Sequence, residues 1–437
     1  RGAVTLSGGG QTFLGGTDQF GLRYRHDDGR WKIDAVTSLS LSDRSRPNPG
    51  HFGGITATLN GTPRVSLRDL VLDRPRIIEV FGTGERPVDP YDLANYSLTT
   101  ATEQPYNNRS DHRSAQLSAR RRFGFLPFPA SLEVGGARST LKVDARVQTI
   151  TWTYAGPDGN VATPDSAAPF QMQSYRGQDS FYGFTNVPWI SVNRAYDRLD
   201  QFVRTPANLV AAEQSRITGS EVLRETVTAA YAQAEARLWR NRLTVLGGAR
   251  FERTDDSGRG PLVDLAAVFV RNPNGTFARN AAGQRIRRAE AGTAGSMEEL
   301  RLVRKERAYA VTRSYDGLYP SLHLTLDATE RLLLRAAYAR TYGRPDLIDV
   351  IPNAQFAEND LNEQDQNNPA VVKGTITVRN TALRPWTADN FDLSAEYYTD
   401  GGGIISAGVF RKQISNFFGT QVRLADATLL EDLGLDA

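Results

Sequence analysis

The residue types that could do chemistry in this sequence are few and scattered. The four histidines, His26, His51, His112 and His323, do not follow the spacing of zinc ligands, so no metal site is expected. Cysteine is absent, and so is the Gly-x-Ser-x-Gly segment of an esterase nucleophile. The glycine runs 8–10 and 401–403 lack the lysine and hydroxyl residue of a phosphate loop and are expected to form turns. The sequence therefore predicts neither an enzyme nor a bound cofactor.

An acidic segment at residues 358–365 has the composition of a calcium loop. It contains Glu358, Asp360 and Asp365 but lacks the central glycine and the terminal glutamate at the offsets that such a loop requires. We interpret the segment as a solvated loop and keep calcium binding as the minor alternative.

Residues 156–220 form a long segment that is rich in aromatic residues and arginines. Such side chains on a loop could bind a ligand by ring stacking and charge-assisted hydrogen bonds. A long loop also needs a small apolar core of its own to stay ordered, and the two interpretations carry equal weight. The candidate ligand-binding residues are Tyr175, Arg176, Phe181, Tyr182, Trp189 and Arg194.

Strict alternation of apolar and polar residues identifies the elements that position these side chains. From Trp31 to Leu41 every second residue is apolar or small, and the residues between them are mostly polar. The preceding run places Phe20, Leu22 and Tyr24 on one face, and residues 27–30 form a tight turn between the two runs. A stretch of this length matches the roughly 9–11 residues that a tilted strand needs to cross a bilayer.

The same pattern recurs and predicts ten strands joined alternately by short and long connections. The short joins are at 27–30, 123–131, 240–242, 328–330 and 399–403, and the long ones are roughly at 43–111, 156–220, 257–312 and 344–386. Segments 52–60 and 64–80 are candidates for a further strand pair within the first long connection. Short turns at one end and long loops at the other are typical of outer-membrane barrels. The predicted fold is all-β, a transmembrane antiparallel β-barrel with short periplasmic turns and long extracellular loops.

Aromatic residues near the strand ends are consistent with the girdles of such a barrel at the two membrane interfaces. The alternative is the general preference of aromatic residues for strands. The residues assigned to the girdles are Tyr24, Trp31, Trp152, Tyr154, Trp239, Phe251, Tyr338, Tyr342, Trp386, Tyr397 and Phe417.

Composition excludes two further classes of protein. No run approaches the roughly 18 apolar residues of a membrane-spanning helix, which excludes a helical membrane protein. The net charge of +3 over 437 residues gives little support to nucleic-acid binding.

Three motifs, in order, resemble the TonB-dependent outer-membrane receptors. The first comprises 318–324 (LYPSLHL) with 332–345 (LLLRAAYARTYGRP), the second is 380–398 (NTALRPWTADNFDLSAEYY), and the third is 408–417 (GVFRKQISNF). The family typically has an Asn-x-x-Leu-x-Pro approach to a strand that ends in Glu-Tyr-Tyr, then a hairpin and a Phe-x-Lys-x-Ile strand. The resemblance is strongest over 222–418 and weaker over 1–155.

The resemblance implies one partial barrel domain over residues 1–437, part of a barrel of about 22 strands in the bacterial outer membrane. It also implies a plug domain inside the barrel and import energised by the TonB–ExbB–ExbD complex. The plug, the TonB box and the last strands are expected to lie outside these residues, so the chain is expected to be an internal piece of a longer Gram-negative receptor.

The strand parity adds a second group of candidate residues, which face the lumen and contact the plug or a ligand. They are Arg250, Glu252, Arg335, Asp392, Glu396 and Lys412. The expected partners are outer-membrane lipid, the energising complex and a small-molecule or oligosaccharide ligand. A siderophore, cobalamin, an oligosaccharide and a peptide all remain open. The alternative functions are a passive porin or adhesin-like barrel and a soluble carbohydrate-binding protein.

Overall fold

The computed structural model describes residues 2–61, 63–70, 75–175, 186–346, 351–361, 365, 368, 370–379, 384–419, 422, 424–426 and 428. The strands are β1 (Thr5–Gly9), β2 (Leu14–Asp27), β3 (Trp31–Arg46), β4 (Gly54–Leu59), β5 (Arg64–Leu70), β6 (Pro75–Phe81), β7 (Pro87–Val88), β8 (Tyr96–Glu103), β9 (Tyr106–Phe123), β10 (Ala130–Val147), β11 (Ile150–Tyr154), β12 (Phe202–Val203), β13 (Ser220–Leu238), β14 (Leu243–Asp264), β15 (Arg304–Asp327), β16 (Leu332–Gly343), β17 (Ala354–Glu358), β18 (Gly374–Val378), β19 (Trp386–Tyr398) and β20 (Ile404–Ser415). The helices are α1 (Val192–Tyr196), α2 (Pro206–Thr218) and α3 (Met297–Val303). No helix in the described ranges is long and apolar enough to cross a membrane.

Ten strands form one continuous antiparallel ladder in the order β2-β3-β9-β10-β13-β14-β15-β16-β19-β20. β17 joins this sheet by parallel pairing with β14 and carries β18 on its other side. The sheet is open, because no pairing between β2 and β20 occurs among the residues that the structure describes. The predicted antiparallel barrel-type sheet and its ten strands are confirmed.

The five short connections lie where the sequence predicts them, all at one end of the ladder. In the first, Asp28 Oδ1 accepts hydrogen bonds from the backbone nitrogens of Arg30 and Trp31 at 2.9 and 2.6 Å. In the last, Gly402 has a φ of 80°, a conformation that glycine adopts without strain. The run 401–403 is thus a turn, as expected, whereas Gly8 and Gly9 lie within β1 and the turn predicted there is wrong.

Pairing register separates the side chains of the ladder into an apolar outer face and a polar inner face. Leu318, Leu393 and Val409 on the outer face are 57%, 58% and 65% exposed, values that an aqueous surface rarely tolerates over many strands. A lipid solvent accounts for the exposure. One outer row across five strands is Val245, Leu324, Ala336, Leu393 and Val409; one inner row is Thr244, Thr325, Arg335, Ser394 and Gly408.

The apolar outer positions end abruptly on each strand. On β14 the last one is Phe251, followed on the same face by Arg253 and Asp255, and on β15 Leu318 gives way to Asp316. We call the part of the ten strands between the short turns and these first outward charges the membrane band. β14 and β15 contain 22 and 24 residues, at least twice the roughly 9–11 that a crossing needs, so both continue far beyond the membrane.

Above the membrane band, a second sheet is formed by strands that precede or follow five of the ten ladder strands along the chain. Its order, β1-β4-β8-β11-β12, follows the order of the neighbouring ladder strands β2, β3, β9, β10 and β13. Residues 155–175 and 186–201 pack against this sheet, and we call the sheet together with these residues the head. Its core contains fully buried Phe52 and Phe170 together with Ile55, Leu93 and Tyr154.

The head corrects three interpretations of the sequence. Trp152 packs against the head core and Tyr154 is buried in it, so neither belongs to an interfacial girdle. Residues 54–59 pair with β1 and β8, while β5 and β6 pair with each other, so segments 52–60 and 64–80 do not form a pair. The apolar residues of the head pack against other parts of the head and do not contact lipid. Alternation of apolar and polar residues cannot distinguish these two environments.

Candidate functional site

The inner face of the ladder holds all six residues that the sequence placed toward the lumen. Arg250 Nη2 lies 2.6 Å from Glu252 Oε2, and Arg335 forms an ion pair with Glu396 across β16 and β19. Asp392 lies opposite Phe410 in the register, and Lys412 lies opposite Asn390. These positions share one face because ladder partners project to the same side of a sheet. Their contact with a plug or ligand stays a prediction.

A second ion-pair cluster crosses β9, β10 and β13 on the same face. Glu133 accepts a hydrogen bond from Arg120 Nε at 2.7 Å and another from the Tyr231 hydroxyl at 2.7 Å. The Tyr231 ring lies over Gly135, where a Cβ atom would approach the ring to 2.5 Å. Glycine at this position leaves space for the ring, and a larger residue would displace the Tyr231 side chain.

The upper end of β16 separates from β15 but stays paired with β19 as far as Gly343. Pairing of β16 with β15 stops at Ala339, after which Tyr342 stacks on Tyr319 with a centroid distance of 4.4 Å. The Tyr342 hydroxyl donates a hydrogen bond to Glu252 on β14. Tyr342 therefore lies on the inner side of the wall, and its assignment to an interfacial girdle is wrong.

Arg344 completes a polar cluster that parity reasoning did not identify. Its guanidinium lies 2.9 Å from Glu225 and 3.6 Å from Glu252, which is only 4% exposed. The signal in the sequence was Pro345, which marks the end of a strand that stops at Gly343 and so leaves Arg344 outside the regular alternation. A buried carboxylate of this kind is stable only when it is paired and hydrogen-bonded, and Glu252 satisfies that condition.

Asp256 lies two inward-facing positions beyond Glu252 on β14, outside the membrane band. It is 8% exposed, and its Oδ1 atom is buried without a hydrogen-bond partner in the described part of the chain. Burial raises the pKa of Asp256 to about 7; the Glu225 carboxylate adds to the rise and the Arg344 guanidinium opposes it. The group is therefore poised to change its charge near neutral pH.

In the aromatic loop of the head, within residues 156–220, some aromatic residues are buried and others are exposed. Backbone hydrogen bonds from Met172 N to Trp189 O (2.8 Å) and from Ser191 N to Phe170 O (2.8 Å) pair its two arms. Phe170 faces the core, whereas Tyr175 and Trp189 are 41% and 43% exposed and lie together at a centroid distance of 5.6 Å. Phe170 thus forms part of a core, as one interpretation of this loop expects, and ligand binding by the exposed pair stays a prediction.

The remaining candidates on this loop have different surroundings. Arg194 Nη1 donates a hydrogen bond to the Gln171 carbonyl oxygen at 2.9 Å, which ties α1 to the arm that carries Tyr175. Arg176, Phe181 and Tyr182 lie outside the described residues. The structure therefore brings Tyr175, Trp189 and Arg194 onto the same part of the head.

The acidic segment at 358–361 contacts arginines. Glu358 forms an ion pair with Arg271, and Asp360 lies 2.6 Å from Arg279. Within the described ranges, no group of three or more histidine, aspartate or glutamate side chains is arranged to hold a metal ion. Sequence reasoning missed these arginines, although the repeated Arg-Asn-x-x-Gly pattern at 271–275 and 279–283 could have revealed them.

Comparison with known proteins gives matches to one family and to several solved structures. The family profile described as "TonB dependent receptor-like, beta-barrel" matches residues 61–430. No curated protein sequence matches the chain.

The solved structures share low sequence identity with this chain. The open form of the ferric-catecholate import receptor Fiu from E. coli K12 is 10% identical, with 93% of this chain and 42% of that chain covered and a TM-score of 0.43. The ferric enterobactin receptor PfeA from Pseudomonas aeruginosa is 13% identical, with coverages of 93% and 54% and a TM-score of 0.31. The hemophore receptor HasR from Serratia marcescens is 11% identical, with coverages of 93% and 46% and a TM-score of 0.35. This chain spans less than two thirds of the length of each of these structures.

Proposed function

This chain belongs to the TonB-dependent receptor β-barrel family, whose members reside in the bacterial outer membrane, and from that premise we propose that it forms part of a nutrient importer. In this proposal the complete receptor binds a scarce nutrient at its extracellular side and draws energy from the TonB–ExbB–ExbD complex. The family consists of transport receptors and not of enzymes, in agreement with the scattered histidines and absent nucleophile motifs of the sequence.

The observation that carries the proposal is the contrast between the two faces of one ladder. The outer face is mostly apolar through the membrane band, while the inner face carries the ion pairs Arg120–Glu133, Arg250–Glu252 and Arg335–Glu396. Charged side chains at membrane depth are tolerated where they meet water or other protein. The inner face therefore suits a lumen that holds a polar plug and passes a polar cargo.

We assign ligand capture to the exposed aromatic pair of the head. Tyr175 and Trp189 offer ring faces to solvent, and the hydrogen bond from Arg194 to Gln171 holds the arm that carries them. Exposed aromatic faces on a packed scaffold bind flat or ring-shaped ligands with little loss of side-chain entropy. Arg176, Phe181 and Tyr182 belong to the same loop and are part of this proposal.

Energised import is tested in cells that produce the full-length protein. Growth on a panel of iron chelates, cobalamin, oligosaccharides and peptides is compared between a strain with TonB and one without it. We expect a nutrient whose use depends on both the receptor and TonB, and no steady conductance of the purified receptor in planar bilayers. Growth that persists without TonB, together with continuous conductance, would establish a passive porin instead.

Capture by the aromatic pair is tested with the nutrient that this screen identifies. Tyr175→Ala and Trp189→Ala are each expected to weaken its binding to cells by about 10-fold or more, in line with the loss of a stacking contact. Trp239→Ala is the matched control, because Trp239 is an exposed tryptophan at the opposite, short-turn end. Unchanged affinity in both head variants would move the capture site to another loop.

A further inference from the structure

Residues 271–283 contain two copies of one turn, eight residues apart. Each copy reads Arg-Asn-x-x-Gly, and in each the glycine nitrogen donates to the asparagine carbonyl oxygen at 2.9 Å, Gly275 to Asn272 and Gly283 to Asn280. Both glycines have positive φ, 84° and 75°. The repeat therefore builds two equivalent local structures that display equivalent side chains.

In both turns the arginine is fixed by its own turn. Arg271 Nη1 donates to the Gly275 carbonyl oxygen at 2.9 Å, and Arg279 Nη1 donates to the Gly283 carbonyl oxygen at 2.6 Å. With one nitrogen bound to the turn, the other terminal nitrogen, Nη2, is directed away from it. A guanidinium held in this way offers a carboxylate preorganised donors at a small entropic cost.

Aromatic rings hold a third arginine beside these two. The Arg285 guanidinium carbon lies 4.3 Å from the centroid of the Phe269 ring and 5.0 Å from that of Phe277. The Arg271 guanidinium carbon lies 4.4 Å from the centroid of the same Phe277 ring. Cation–π contacts of this geometry orient the guanidinium planes and restrict their movement.

The chain's own carboxylates occupy these three arginines. Arg271 binds Glu358, Arg279 Nη2 donates to Asp360 Oδ1 at 2.6 Å, and Arg285 Nε lies 3.3 Å from the same oxygen. Asp360 is 48% exposed at its side chain, whereas the Arg285 side chain is 18% exposed. Asp360 thus lies on the solvent side of Arg279 and Arg285, while Glu358 and Arg271 are about equally exposed.

Local charge shows why these acids come from a distant segment. Residues 268–288 contain five arginines and no acidic residue. Arg287 and Arg288 pair with the nearby Glu299 and Glu290, so only the remaining three depend on the strand β17 and the residues that follow it. The carboxylates of these pairs are partly open to solvent, with side-chain exposures of 37% for Glu358 and 48% for Asp360. Ion pairs that are open to solvent contribute little to stability.

We propose that Arg271, Arg279 and Arg285 form a binding cradle for ligands with two or more carboxylates, and that Glu358 and Asp360 occupy it as internal competitors. The proposal names a class of cargo for the receptor and therefore rests on the function proposed above. A ligand with several carboxylates replaces both acids at once, and its second contact forms at a high effective concentration. Displacement also releases the end of β17 from the repeat.

Citrate is the probe for the test, which uses the full-length receptor in detergent and isothermal titration at low ionic strength. The double variant Glu358→Gln with Asp360→Asn removes the competing charges and is expected to bind citrate about 10-fold more tightly than the wild type, because a larger fraction of the cradle is free. Arg279→Gln is expected to abolish this binding. If Arg279→Gln does not fold, Arg279→Lys keeps the charge but loses the planar fork, and it is expected to weaken binding.

Glu79→Gln is the matched control, because Glu79 forms a similar exposed ion pair with Arg68 in the β5–β6 hairpin, and citrate affinity is expected to stay unchanged. No citrate binding by the double variant would overturn the proposal, and so would equal affinity for citrate, acetate and inorganic phosphate, which indicates charge screening alone. TonB-dependent growth is measured separately. If growth depends on TonB but citrate does not bind, only the proposed carboxylate site is refuted. If growth does not depend on TonB, only the proposed import function is refuted.

Discussion

The lower and upper halves of the same strands differ in what surrounds them. In the membrane band, β14 alternates between outward Val245 or Phe251 and inward Thr244 or Arg250. Above the band the same strand carries Arg253 and Asp255 outward, and its inward Asp256 is buried under other parts of the chain. Backbone pairing continues without a break between the halves up to Gly260, where the register shifts.

The difference shows that backbone hydrogen bonds hold the strands together in both halves. The surroundings determine which residue types occur on each face. Lipid demands an apolar residue at every outer position, so the lower half follows a rule of period two. Above the membrane, water and packed loops replace lipid. There the inner face closes against the chain itself, as where a Cβ on Gly260 would lie 1.8 Å from the Pro352 carbonyl oxygen. Four mutational tests follow from this contrast.

The largest effect is expected in the head, from Phe170→Ala. Phe170 is fully buried, and replacing such a ring by alanine costs about 3–5 kcal/mol. The cost should fall on the head alone, so limited proteolysis of the full-length protein should cleave residues 155–201 while the membrane band stays intact. Tyr175→Ala, on the exposed side of the same loop, is the control and should be cleaved like the wild type. Equal resistance of all three proteins would contradict a packed head core.

The membrane band is tested with Leu322→Arg. Leu322 is the middle one of the outward apolar positions on β15, and an arginine there should lower the free energy of unfolding by about 2–4 kcal/mol. Ser314→Arg, outward on the same strand but beyond the band, should cost less than about 1 kcal/mol. Chemical unfolding of the full-length protein in lipid vesicles gives both values. Similar costs at both positions would place the membrane boundary elsewhere.

Asp256 gives an effect that depends on pH and is smaller than the preceding ones over any single pH unit. The pKa of its carboxyl is about 7 in the folded protein against 3.8 for an unperturbed carboxyl, so the folded state binds more protons between these values. The free energy of unfolding should therefore fall as pH rises from about 4 to about 7, by no more than about 1.4 kcal/mol per pH unit, and level off above that. Asp256→Asn should remove this slope and be the more stable protein at pH 8. Parallel pH profiles for both proteins would show that the carboxyl titrates normally.

The smallest effect is expected for the Arg335–Glu396 pair on the inner face. The Arg335 side chain is 45% exposed, and exposed ion pairs contribute about 0–1 kcal/mol. A double-mutant cycle of Arg335→Gln and Glu396→Gln, measured by the same unfolding assay, should give a coupling energy within that range. A coupling above about 2 kcal/mol would show that the pair is desolvated by a partner on the inner face.

Sequence reasoning predicted the ladder well for a physical reason. Contact with lipid constrains each outward residue independently of the rest of the fold. Runs such as 31–41 and 243–251 therefore show where a strand lies, which face is outward and where the turn follows, without knowledge of any distant contact. The same reasoning predicted a loop at 257–312, and these bounds are wrong because β14 continues to residue 264 and β15 begins at residue 304. Polar residues fill both faces there, and the alternation that would reveal a strand disappears.

The candidate sites were predicted less completely, because they depend on contacts between distant segments. Parity located Arg250 and Glu252 on the inner face, but nothing local indicates that Tyr342 reaches Glu252 from a strand 90 residues away. Composition identified the aromatic loop at 156–220 without separating buried Phe170 from exposed Trp189. The arginine repeat at 271–283 was readable in the sequence, whereas its pairing with Glu358 and Asp360 was not.

Lipid accessibility along β14 tests the central claim most directly. The sequence lacks cysteine, so single cysteines introduced from residue 243 to residue 259 of the full-length protein can each carry a spin label in outer-membrane vesicles. Oxygen accessibility should be high at 245, 247, 249 and 251, low at the positions between them, and low on both faces from 253 onward, because oxygen partitions into lipid. Accessibility without a period of two below 251, or high outward accessibility that persists to 259, would contradict a wall whose lower half faces lipid and whose upper half stands in water.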